Sequence, residues 1–198
     1  MKTNSQKRIE FKFDVKKLIN ALSFFAGEVK DLDKLKAAKL LYLVDKHHLV
    51  RYGRPILGDC YFRLDAGPVP SKSLDIMNSA DDIIRANIPT PNRDAFISKL
   101  KTTNHKYPRF QQREAPDLSV FSSSEIESLK ETLLKYGKLS SSKLIALTHK
   151  DATWQETEQN AEIDYRLFFK KTPSARKEAL ELMEFSQEDR DFLRDLDE

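Results

Sequence analysis

Lys39-Leu-Leu-Tyr42, followed at a distance by Arg63-Leu-Asp-Ala-Gly-Pro-Val-Pro70, is the part of the chain whose reading decides the fold. Asp31 or Asp33 is placed to cap a helix of about 18 residues from Lys34 to Tyr52. Leu35, Ala38, Leu41, Tyr42 and Leu49 form one stripe along it. Leu40, Leu43 and Val44 widen that stripe, so the helix must be covered on more than one side and is the expected core of the domain. Gly53 is its expected stop, with Pro55 two residues later. Cys60 to Leu64 is a short aromatic run suited to a strand. In Gly67-Pro-Val-Pro70 each residue before a proline is held extended, which predicts a stiff, proline-framed turn leading into a helix through Leu74 and Met77.

Upstream, Ile9, Phe11 and Phe13 alternate with charged residues, but residues 1–13 as a whole are read as a flexible N-terminal arm. Asp14 caps an amphipathic helix over 15–28, with Val15, Leu18, Ile19, Leu22 and Phe25 at helical spacing. Downstream, the pattern weakens from Ser79 to Pro116. Asp94 to Lys101 reads as one or two helical turns, and Tyr107 to Arg113 as a strand that pairs with 58–64. Ser122-x-x-Glu125 has capping-box spacing and opens a helix that Gly137 ends. Ser140 opens a shorter one. Thr172-Pro173 is expected to begin another helix, and Ser186-x-x-Asp189 a last one.

The composition is that of a soluble globular chain: 198 residues, 39% apolar, 33% charged, net charge +3. That charge is too small to mark a dedicated nucleic-acid binder. A single cysteine, Cys60, excludes an internal disulfide and fits a cytoplasmic protein. No apolar run has the length of a membrane span or a signal peptide, so no membrane partner is expected.

Few side chains suggest chemistry. Asp45 and His48 share a helix face beside His47, yet a metal site would need a further ligand, and only His105 and His149 remain. The plainer reading puts both histidines at the polar edge of the core helix, and no cofactor is expected. Cys60 lacks a neighbouring base and reads as a small core residue. Ser140-x-x-Lys143 lacks the companion motifs of a serine nucleophile, and five glycines leave no phosphate loop. Lys99, Lys101, His105, Lys106, Arg109 and Arg113 surround Tyr107 and Phe110, a pattern that suits a solvated loop, a nucleic-acid strand or an acidic partner. His149 and Trp154 read as a hydrogen-bonded corner beside a helix end.

Taken together, Lys39-Leu40-Leu-Tyr42, Tyr52-Gly53-Arg-Pro55, Gly58-Asp59, Gly67-Pro68-Val69-Pro70 and the His149, Trp154 pair resemble the SocA-like antitoxin domain, also called the Panacea domain. The resemblance spans about Asp14 to Gln155. It departs from the pattern at Ala38 and at Asp65-Ala66, and residues 156–198 form a C-terminal helical extension outside it. It implies a mainly α (α+β) fold, compact around the central helix with a small antiparallel β element, and no catalysis. It implies an antitoxin that neutralises a cognate toxin by direct binding or by presenting it to a protease, in a family with phage-associated relatives. The motif residues would then be structural. Recognition would fall on the 79–116 excursion, with Lys101, Lys106, Tyr107, Arg109, Phe110 and Arg113 as contacts, and on 156–198. A nucleic-acid-binding regulator is the alternative.

Overall fold

The computed structural model describes residues 8–79, 90–103 and 109–196. Its helices are α1 (Val15–Glu28), α2 (Lys34–Tyr52), α3 (Ser71–Ser79), α4 (Thr90–Lys99), α5 (Ser123–Tyr136), α6 (Ser141–Thr148), α7 (Ala152–Gln155) and α8 (Lys177–Leu196). Its strands are β1 (Leu32–Asp33), β2 (Tyr61–Leu64), β3 (Gly67–Pro70), β4 (Leu100–Thr102) and β5 (Arg109–Gln112). The protein is therefore mainly helical, with small antiparallel β elements.

Helix α2 begins where Asp33 accepts a hydrogen bond from the Lys36 N–H at 2.7 Å, and ends at Gly53, which is left-handed at φ 72°. Every residue from Lys36 to Asp45 is buried. One face, with Leu40, Leu41 and Val44, packs on Leu18, Leu22 and Phe25 of α1 and Leu129 of α5. The other, with Tyr42, Leu49 and Val50, packs on Tyr61, Ile163, Phe168 and Met183. Burying one such side chain contributes about 2 kcal/mol, so a helix covered all round anchors both halves of the core.

The flanking helices start where their caps predict. Asp14 accepts from the Lys17 N–H at 2.9 Å, and Ser122 and Glu125 close a reciprocal capping box on α5.

The strands pair differently from the sequence expectation. Gly67–Pro70 is no free turn but strand β3, paired antiparallel with β2 in the register Tyr61↔Pro70 through Leu64↔Gly67, with Asp65-Ala66 as a two-residue connection. The other edge of β2 is filled by 160–163: Ile163 N–H donates to Tyr61 O at 2.7 Å and Arg63 N–H to Ala161 O at 2.9 Å. No edge remains for the 107–113 segment. Strand β5 instead pairs with β4 and with β1, forming a separate three-stranded sheet in the order β1-β5-β4.

Two boundaries also differ. From Arg8 onward the N-terminus is not an arm: Ile9 is 1% exposed, Phe11 sits edge-to-face on Tyr165 at 4.9 Å, and the Glu10 N–H donates to Gln187 Oε1 at 3.1 Å. The two expected C-terminal helices are one, α8, because Ala179, Met183 and Gln187 keep a buried stripe at four-residue spacing past Ser186. Inside the 79–116 stretch, Phe96, Leu100 and Phe110 enter the main core.

Candidate functional site

The motif residues converge on polar groups carried by α2. Lys39, Tyr42, Asp45 and His48 recur every third residue and are each fully buried. A three-residue step falls about 60° short of a full turn, so the row winds half-way round the helix. Each side chain therefore meets a different element.

Lys39 Nζ donates to Pro68 O at 2.6 Å, and burial lowers its pKa to about 7. Gly67, at φ 95°, lies against the same amine. A Cβ there would stand 2.9 Å from Lys39 Nζ and 2.7 Å from Thr148 Oγ1. Tyr42 donates its hydroxyl to Asp151 Oδ2 at 2.8 Å, which leaves the Thr153 hydroxyl to donate to Tyr42 at 2.6 Å. Lys46 pairs with the same Asp151 at 2.7 Å. Leu40 and Val69 are core residues beside this cluster.

Asp45, weighed above as a metal ligand, organises backbone instead. Its Oδ1 accepts the N–H groups of Ile56 and Leu57, both at 2.8 Å, and its Oδ2 accepts the Tyr61 hydroxyl at 2.9 Å. Burial raises its pKa to about 7 against the pull of these three donors. His48 is not at the polar edge but buried, with Nδ1 on Arg54 O at 2.7 Å and Nε2 on Ser124 Oγ at 3.1 Å. Burial lowers its pKa to about 4. His47 does lie nearer the edge, against Glu131 at 2.9 Å. Asp59 caps α3 from outside, accepting from the N–H groups of Lys72 at 2.9 Å and Ser73 at 2.8 Å. Among the described residues no group of three or more His, Cys, Asp or Glu side chains is placed to hold a metal ion.

At the end of the β2–β3 hairpin Trp154 donates its indole N–H to Leu64 O at 2.9 Å. His149 stacks on the indole with ring centroids 3.9 Å apart, and the Arg63 guanidinium lies 4.6 Å from the ring centroid. Two planar groups that close cannot share a face, so the indole is clamped between them. Gly53 closes the opposite end, 2.7 Å from Ala179 O measured from the Cβ it lacks, and so admits α8.

The expected basic and aromatic contact region does not form one surface. Phe110 is 2% exposed and belongs to the core, so it cannot stack on a partner. Arg109 pairs with Asp31 at 2.6 Å and Arg113 donates to Ile97 O at 3.2 Å. Lys101 is exposed. Lys106 and Tyr107 lie outside the described residues.

A different surface has the character of an interface. Between the end of α1 and the end of α5 lies a groove of about 680 Å³. Val29, Leu133 and Leu134 give it an apolar floor, and Leu134 is 86% exposed. Lys30, Lys36, Lys130 and Lys138 stand around it against one carboxylate, Glu28. Sequence reading missed this groove because its walls come from helices far apart in the chain; the only local signal was an apolar Leu133-Leu134 pair with one member off the buried face.

No helix among the described residues is long and apolar enough to cross a membrane. A search of curated proteins and a search of solved structures returned no match. The chain matches one family model, described as antitoxin SocA-like, Panacea domain, over residues 38–155.

Proposed function

This chain belongs to the SocA-like antitoxin, Panacea-domain family, and on that premise we propose that it is an antitoxin that neutralises a cognate toxin by direct protein–protein binding, without catalysis of its own. The observation that carries this reading is the family match over 38–155. The geometry supports it in one respect: the motif side chains are spent on the chain's own backbone and on one another, so they build a rigid scaffold and leave recognition to exposed surface. Delivery of the toxin to a protease is a variant of the same binding step. The nucleic-acid reading loses support with Phe110, which sits in the core, and Arg109, which is paired.

The test is co-expression with a neighbouring gene whose product alone arrests growth. Rescue by this chain, together with a stoichiometric complex of the two proteins in solution, is the expected result. Rescue without any complex would overturn direct neutralisation. Toxin abundance separates the two modes: it stays constant under occlusion and falls under delivery to a protease.

A further inference from the structure

Two exposed features of this chain match each other. The first is the groove between α1 and α5, with its apolar floor and four lysines. Lys36 is buried beside Asp33 and Asp31, but Lys30, Lys130 and Lys138 are exposed and none of these three ammonium groups has a hydrogen-bond or ion-pair partner among the described residues, whereas Lys17, Lys46 and Lys170 all do. Unpaired cations around an apolar floor are what an acidic, amphipathic helix is shaped to cover. The second feature is such a helix. Residues 177–196 carry seven carboxylates against three cationic side chains. The inner face of α8 holds Ala179, Met183 and Gln187, while Glu178, Phe185 and Asp189 are exposed on the outer face, and Leu182, with one side against Gly53, is half exposed at its margin. Leu182 is 52% and Phe185 60% exposed, and a carboxylate flanks the pair at each end.

A chain cannot satisfy this match within itself. Its own α8 abuts Gly53 at the C-terminal end of α2, whereas Lys36 marks the groove at the N-terminal end, about 25 Å away along the helix. We propose that the groove formed by α1 and α5 in one copy receives the outer face of α8 from a second copy, with Leu182 and Phe185 on Val29, Leu133 and Leu134 and the flanking carboxylates among the lysines. This self-association uses neither the motif cluster nor a toxin, and it stands or falls separately from the antitoxin reading.

The experiment is sedimentation velocity on the full chain over micromolar to sub-millimolar concentration. Association that grows with concentration and weakens about tenfold between low and high salt is expected, since the contact joins opposite charges. Leu134→Glu, which repels the acidic helix, and Phe185→Ser, which removes its apolar anchor without adding charge, should each leave a monomer, and both positions are exposed, so unchanged thermal melts will show that each variant folds. The decisive arm is an equimolar mixture. The Phe185→Ser copy keeps an intact groove and the Leu134→Glu copy an intact helix, so the mixture should re-form a heterodimer that neither variant forms alone. A wild-type chain that stays monomeric throughout, association that survives either substitution, or a mixture that does not associate would each overturn the proposal.

Discussion

The ammonium of Lys39 donates to the carbonyl oxygen of Pro68 across 2.6 Å, and the lysine side chain is wholly buried. One bond thus fastens the β2–β3 hairpin to the central helix through a residue whose charge is costly to bury.

That cost makes stability depend on pH. The folded pKa of Lys39 is lowered to about 7 from 10.5, so the folded chain binds fewer protons than the unfolded one in between, and stability rises with pH across that window. The expected slope is about 1 kcal/mol per pH unit. Urea unfolding at pH 7, 8 and 9 should show it in the wild type, and the slope should flatten in Lys39→Met. An equal slope in the variant would mean that Lys39 titrates normally.

Asp45 acts in the opposite sense. Its folded pKa is raised to about 7 from 3.8, so its contribution is fully present below 3.8 and lost as pH rises through 7. Asp45→Asn keeps an acceptor for the Ile56 and Leu57 N–H groups and should remove this pH dependence at modest cost. Asp45→Ala strands two N–H groups and the Tyr61 hydroxyl and should cost about 3–5 kcal/mol in equilibrium unfolding.

Glu125 holds two cations, with Lys17 Nζ at 2.8 Å and Arg54 Nη1 at 2.5 Å, while its own side chain is 1% exposed. These hydrogen bonds hold its carboxyl below the usual range against the opposing effect of burial, the larger single influence. Stability from this group is present above the ordinary glutamate range and lost as pH falls through the depressed folded pKa. Glu125→Gln should cost about 2 kcal/mol at neutral pH. That cost should shrink as pH falls through the depressed folded pKa, and chemical denaturation at neutral pH and across the acid range would show the change.

Gly53→Ala tests the junction with α8. The residue is left-handed, and an added Cβ would lie 2.7 Å from Ala179 O. The strain and the clash together should cost about 2–3 kcal/mol. Hydrogen exchange should quicken first in α8, because that helix must shift while α2 keeps its other contacts. Uniform loss of protection would instead place α8 inside the cooperative core.

The helix ends were readable in the chain because a cap depends on residues within four positions. Asp14, Asp33, Ser122 and Ser140 each accept from a backbone N–H three residues on. The amphipathic run of α1 was legible for the same reason. The apolar stripe of α2, widened by Leu40, Leu43 and Val44, also announced a helix covered on more than one side, as the two cores on either side of α2 show.

Strand pairing was not readable in this way. The Tyr107 to Arg113 segment has the pattern of a strand, but pattern does not name a neighbour, and 160–163 had already taken the edge of β2. Phe110 illustrates the same limit: a basic, aromatic stretch looks like a contact surface until the sheet turns its ring into the core. Ser186 has the type of a cap, yet the buried stripe of α8 continues through it.

By itself, then, the sequence determined a mainly helical chain of the SocA-like family, with its central helix, caps and stops, since these follow from local geometry and hydrophobic periodicity. Only the tertiary structure decided that Lys39, Asp45 and His48 are internal fasteners and that α1 and α5 leave a lysine-rimmed groove. Those outcomes depend on which distant backbone groups arrive beside each side chain, and burial acts on them only once the whole chain has packed.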